Sequence, residues 1–224
     1  MSAGKVTTAA GNAGITVPDS LYPPASLSVA GHTEYTRRHY PELVARFREQ
    51  PLHRGDVVFL GNSITEMGGD WGKRLGKPGV KNRGIGGDIA KGVLFRLGEI
   101  TYAQPAAVFL LIGINDLLFT DISPDKLASD IVEIARQLHH RSPGTKIFVQ
   151  TILPTGKKEL VANIKETNRL VRERRKVGGF TLIDTHALFA DENDLMKAEL
   201  TTDGIHLNEQ GYAVWVEKLK TFFK

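Results

Sequence analysis

A serine, a glycine-rich run, an asparagine and an Asp-x-x-His segment follow one another along this 224-residue chain. Ser63 stands in Gly61-Asn62-Ser63-Ile64-Thr65, directly after an apolar run. A hydroxyl at a strand-to-helix turn is exposed, and its backbone N–H lies at a helix start. Both features suit a nucleophile whose attack creates an oxyanion. A serine there also serves as an ordinary helix cap, so Ser63 alone decides nothing. The segment Asp203-Gly204-Ile205-His206-Leu207-Asn208 supplies the complement. Asp203 and His206, three residues apart across a glycine turn, can share one face of a loop. The carboxylate then holds one imidazole nitrogen while the other faces Ser63 as a base. The remaining histidines, His32, His39, His53, His139, His140 and His186, lack such a setting and read as structural.

Two further segments could meet negative charge. Asn115, in Gly113-Ile114-Asn115-Asp116, follows the most apolar run, where a side-chain amide can donate to a developing oxyanion. An Asn-Asp pair is equally a turn former. The run Asn82-Arg-Gly-Ile-Gly-Gly-Asp88 offers backbone N–H groups with no side chains in the way. Its spacing, Gly84-x-Gly86-Gly87, lacks the third glycine of a dinucleotide fingerprint and follows the second strand rather than the first, which sets nucleotide binding aside.

The elements that must position these residues are legible around them. Asp56–Gly61, Ala106–Gly113, Lys146–Ile152 and Phe180–Asp184 are short apolar runs, and Val80–Arg83 is a weaker fifth. Runs of this kind suit parallel strands buried on both faces. Between them lie helical patterns. One spans about Thr36 to Gln50 and ends at Pro51; another opens with Ser123 as N-cap and Pro124 at the first helical position, with Leu127, Ile131, Ile134, Ala135 and Leu138 on one face. Leu160, Ile164, Leu170 and Val171 mark the next helix, and Tyr212, Trp215, Leu219 and Phe222 the last. Alternating strands and helices predict a three-layer α/β/α sandwich on a parallel sheet of about five strands. Residues 1–33, rich in Ala, Gly, Thr, Ser and Pro, read as an extended arm packing on the domain or on a neighbouring subunit, and 34–224 as one domain. In such sheets ligands bind beyond the carboxyl ends of the strands, where all four segments fall.

Composition narrows the chemistry. The chain has no cysteine, which removes disulfides, thiolate zinc sites and thiol catalysis. No run approaches the ~20 apolar residues of a membrane span, and the N-terminus lacks the basic and apolar regions of a secretory signal. Cytoplasmic location and secretion after signal removal both stay open. The net charge of +4 is mildly basic. Its densest cluster, Arg172–Lys176, is broken by Glu173 and has no interleaved aromatics to stack bases, so a solvated helix face is expected there and no nucleic-acid partner.

Taken together the segments resemble the conserved blocks of SGNH/GDSL hydrolases. Gly61-Asn62-Ser63-Ile64 is similar to the first block, Gly87 to the glycine block, Gly113-Ile-Asn115-Asp116 to the asparagine block and Asp203-Gly-Ile-His206 to the last. Gly84-Ile-Gly-Gly-Asp88 with Val93-Leu-Phe-Arg-Leu97 is especially similar to the catalytic subunits of platelet-activating-factor acetylhydrolase and their bacterial relatives. The resemblance implies a flavodoxin-like sandwich and ester hydrolysis without metal or cofactor. It also implies an oxyanion hole made by the N–H groups of Ser63 and Gly87 and the amide of Asn115. Asn62 departs from the pattern by replacing the usual aspartate, which puts the turn's hydrogen bonds and local charge in question.

The expected activity is a serine esterase acting on short-chain, chiefly acetyl, esters, with sugar acetates as one substrate class. Lysophospholipase or acyl-thioesterase activity from the same site, and a catalytically silent binding module, are the alternatives. An apolar groove for long acyl chains would have to come from residues 66–71 and 117–122, which mix apolar and charged types. The arm and the resemblance both suit a homodimer.

Overall fold

The computed structural model describes residues 5–7 and 16–224. In chain order the elements are α1 (Glu34–Glu49), β1 (Val57–Gly61), α2 (Ser63–Glu66), α3 (Trp71–Leu75), β2 (Val80–Gly84), α4 (Ala90–Phe95), α5 (Leu97–Ala103), β3 (Ala107–Leu111), α6 (Ile114–Phe119), α7 (Pro124–Arg141), β4 (Lys146–Gln150), α8 (Val161–Gly178), β5 (Thr181–Ile183), α9 (His186–Phe189) and α10 (Glu209–Lys220). The five strands form one parallel sheet in the order β2-β1-β3-β4-β5. The expected sandwich is the observed one.

Strand order fixes where the helices go. The chain steps from β1 outward to β2, then returns across β1 and proceeds through β3, β4 and β5. Right-handed crossovers place the helices of the first step on one face and those of the later steps on the other. Accordingly α7 packs on α8 with α4 and α5 alongside, while α3 packs on α10. On the α3 face, register brings Phe59, Phe109 and Phe148 into one row across three strands. Their rings stack in succession, with Trp71 on Phe59 at one end (ring centroids 4.4 Å apart) and Phe223 on the middle ring, Phe109 (5.6 Å). The long helix α7 starts as its sequence predicts: the Ser123 side chain accepts from the N–H of Lys126, and Pro124 occupies the first turn.

Sheet order reverses at β1, whose neighbours β2 and β3 lead in opposite directions along the chain. Beyond the carboxyl ends of such strands the connecting loops diverge and leave a crevice. Ser63 follows β1, the glycine run follows β2 and Asn115 follows β3, so the topology delivers all three segments to that crevice. Of the N-terminal segment, Val6 forms a parallel bridge with Phe223 and is buried, and Val17, Tyr22 and Val29 are buried as well.

Candidate active site

Between β1 and α2 the chain turns sharply, and Gly61 permits it. A Cβ there would lie 2.3 Å from the carbonyl oxygen of Leu111 and 2.3 Å from Oγ1 of Thr65. Asn62 is the N-cap of α2, its Oδ1 accepting from the N–H of Ile64 at 3.1 Å. An asparagine oxygen therefore makes the cap that an aspartate would make, and what the replacement removes is charge. The cap leaves the N–H of Ser63 free, without a hydrogen-bond partner among the described residues.

The structure brings Ser63, His206 and Asp203 together. Ser63 Oγ lies 2.9 Å from His206 Nε2, and His206 Nδ1 lies 2.7 Å from Asp203 Oδ2. The loop carrying the last two is built around the aspartate. Its Oδ1 accepts from the N–H groups of Ile205 (2.9 Å) and His206 (2.7 Å), an Asx turn that leaves Oδ2 for the ring. Thr201 Oγ1 donates to the carbonyl of His206 and accepts from the N–H of Gly204, whose φ of +83° completes the turn. Burial alone would push Asp203 up. The hydrogen bonds from the His206 ring and from the two amides outweigh it and hold the carboxyl down at about 2. An ionised carboxylate only accepts, so it fixes the proton on Nδ1 and leaves Nε2 to accept from the Ser63 hydroxyl.

Gly87 and Asn115 stand on the β2 and β3 sides of Ser63. The N–H of Gly87 has no partner among the described residues, and its φ is +77°. Asn115 is buried, and its Nδ2 donates to the carbonyl of Asp88 at 2.9 Å. One of its two amide hydrogens is thereby committed, which fixes the side-chain orientation and leaves the second N–H available. Two free backbone donors, one oriented side-chain donor, and a hydroxyl–imidazole–carboxylate chain can together activate a nucleophile and meet the oxyanion it creates. Among the described residues no group of three His, Asp or Glu side chains is placed to hold a metal ion.

Two features at this crevice were not read from the sequence. The first is Glu66, one helical turn beyond Ser63, which accepts from the N–H of Gly86 (2.5 Å) and from His39 Nε2 (2.9 Å). His39, expected to be a structural residue, thus reaches the edge of the site from α1, and the Tyr35 ring stacks on it at 5.1 Å. No spacing signal links α1 to α2, so tertiary packing alone reveals the contact. The second is a recess lined by Ile64, Ile112, Ile114, Ile152, Pro154 and Ile205, next to the residues flanking Ser63 and His206.

Comparison with known proteins gives the family and the fold. Residues 59–214 match the model of the GDSL-like lipase/acylhydrolase family, well over half of the chain. The human platelet-activating factor acetylhydrolase IB subunit alpha2 is 28% identical over 166 residues, covering 70% of this chain and 71% of that protein. Among solved structures, a GDSL-like lipase from Bacteroides thetaiotaomicron superposes with a TM-score of 0.69 at 22% identity, covering 83% of this chain and 95% of the other. An acetyl xylan esterase from Geobacillus stearothermophilus gives 0.60 at 20% identity, over 77% and 98%. These last two likenesses concern the fold. By its sequence blocks, sheet order and family match, the chain belongs to the GDSL-like lipase/acylhydrolase family and is a hydrolase of esters.

Proposed function

We propose that the protein is a serine esterase cleaving short-chain, chiefly acetyl, esters through an acyl-enzyme on Ser63. The observation that carries this is the hydrogen-bonded chain Ser63 Oγ–His206 Nε2 (2.9 Å) and His206 Nδ1–Asp203 Oδ2 (2.7 Å) beside the unbonded N–H of Gly87. Ser63 Oγ attacks the ester carbonyl as His206 Nε2 takes its proton, and Asp203 stabilises the imidazolium. The tetrahedral oxyanion is met by the N–H groups of Ser63 and Gly87 and the free N–H of Asn115. Collapse expels the alcohol, which takes the proton from His206. Water repeats the sequence on the acyl-enzyme, releasing the acid and restoring Ser63.

A short acyl group, acetyl above all, is the reading we favour. The acetylhydrolase name of the curated relatives points the same way. On the alcohol side, the polar side chains of Glu66 and His39 stand beside the glycine loop, and sugar acetates are the substrate class we favour. Long-chain lipid or thioester hydrolysis would need an apolar channel leading away from the recess.

The test is hydrolysis of p-nitrophenyl acetate, butyrate, octanoate and palmitate by the parent and by Ser63→Ala. Turnover confined to the short esters and lost in the variant is expected. A preference for octanoate or palmitate would overturn the acyl assignment, and Ser63-independent turnover would overturn the nucleophile.

A further inference from the structure

Three backbone segments must keep their relative positions if the N–H of Ser63, the N–H of Gly87 and the amide of Asn115 are to converge on one oxygen. They leave the ends of β1, β2 and β3, and beyond the sheet a few hydrogen bonds join them, among them Ile85 N–H to the Gly61 carbonyl (3.1 Å) and Gly86 N–H to Glu66. One guanidinium also joins the first two, and the main-chain carbonyl of Asp88 extends the link to the third. Arg96, at the end of α4, donates from Nη2 to the carbonyl of Gly61 (2.9 Å), two residues before Ser63. From Nη1 it donates to the carbonyl of Arg83 in β2 (2.7 Å), and from Nε to Oδ2 of Asp88 (2.9 Å), the residue after Gly87. Asp88 carries the link onward. Its Oδ1 accepts from Ile89 N–H and pairs with His32 Nε2, both at 3.0 Å, and its carbonyl accepts the Asn115 amide.

Resting on the esterase reading above, we propose that Arg96 and Asp88 are positioning residues that hold the three oxyanion donors in register. Side chains 4% and 0% exposed make this a desolvated pair. A pair of that kind contributes little net stability over apolar replacements and is better explained by a geometry it enforces. Guanidinium suits the task because its fixed planar fork serves three acceptors at once, whereas an ammonium is a point donor on a flexible stem. A donor displaced by a fraction of an ångström loses most of its value in the transition state while substrate still binds.

The molecule supplies its own control. Arg83 and Glu99 form a second buried pair, 4% and 5% exposed, with Glu99 accepting from Arg83 at 2.7 Å and from Leu52 N–H. It ties β2 to α5; Arg83 meets Arg96 through its main-chain carbonyl alone, and the Glu99 carboxylate bonds neither Arg96, Asp88 nor a donor-bearing residue. The experiment compares Arg96→Lys, Asp88→Asn and Glu99→Gln in the intact chain. It reads thermal midpoint, kcat and KM on p-nitrophenyl acetate, and the Ki of a trifluoromethyl ketone, which forms a tetrahedral adduct.

All three variants should lower the midpoint. Only the first two should lower kcat, by roughly 10- to 100-fold with KM within about threefold, and weaken the ketone by the same factor. If Arg96→Lys does not fold, the isosteric Asp88→Asn carries the comparison alone. A kcat that is unchanged at temperatures where the variant is folded, or that falls equally in Glu99→Gln, would overturn the proposal. A parent without Ser63-dependent turnover on any ester would instead sink the esterase reading, and this inference with it.

Discussion

At the scale of single residues the site separates into groups that react and groups that aim them. Asn115 is one of the three oxyanion donors proposed above. Its committed hydrogen bond to Asp88 means that Asn115→Ala removes a preoriented donor and not a mobile one. A loss in kcat on the order of 10²–10³ is expected, with the thermal midpoint little changed; a loss below tenfold would remove Asn115 from the hole. Asp203 acts through His206, and Asp203→Asn should cost roughly 10⁴ in kcat by allowing the wrong tautomer. Because Asp203 is held at about 2, it stays ionised above about pH 4, and any acid-side loss of kcat/KM above that pH belongs to another group. An acid-side inflection above pH 4 that is present in the parent and absent from Asp203→Asn would contradict this. The Asp-His spacing was legible because it is local: four consecutive residues contain the whole Asx turn. Glu66 and His39 were not, because one comes from α1 and the other from α2 and only their packing brings them together.

Elements show the same division. β1, β3 and β4 announce themselves by apolar runs because both their faces are covered. β2 is an edge strand reading Val-Lys-Asn-Arg-Gly, so its sequence signal is weak although Arg83 and Gly84 are buried. The helices α4 and α5 fall below any periodicity threshold, six and seven residues meeting at Arg96. It is there that the chain places its bridging guanidinium. The loop after β2 is tested through its glycines. At Gly87 a Cβ would be 2.1 Å from Oγ1 of Thr36, in the first turn of α1, and the φ of +77° is already costly for other residues. At Gly76, the αL cap of α3 with φ +65°, nothing lies within 4 Å. Gly76→Ala should therefore lose about 1 kcal/mol of stability with full activity. Gly87→Ala should displace the amide it carries and lower kcat at least tenfold while KM holds, as steady-state kinetics and melting curves on both variants would register. Equal kcat in the two would separate Gly87 from the reaction.

For the molecule as a whole, the buried carboxyl of Asp116 predicts an unusual stability curve. Burial raises it to about 7, and repulsion from Asp88 adds to the rise against the Ala90 N–H, which donates to both oxygens at 3.1 Å. With the folded value above the unfolded one, the native state binds the extra proton between about pH 4 and 7, so stability falls as pH climbs through that window. A shift of this size corresponds to a few kcal/mol, on the order of one unit of pKa per 1.4 kcal/mol. Asp203 and Glu133, held down at about 2, contribute in the opposite sense, and their stability is lost only as pH drops below about 4. His186, lowered by burial, also opposes Asp116 by favouring folding as pH rises through the ordinary imidazole range. The difference between the parent and Asp116→Asn cancels all three. Thermal midpoints from pH 4 to 8 should show the variant gaining on the parent steadily as pH increases, with the gain levelling above about pH 7. A constant offset across the range would mean that Asp116 ionises at its ordinary value, and that the contact it makes with α4 survives with its charge intact.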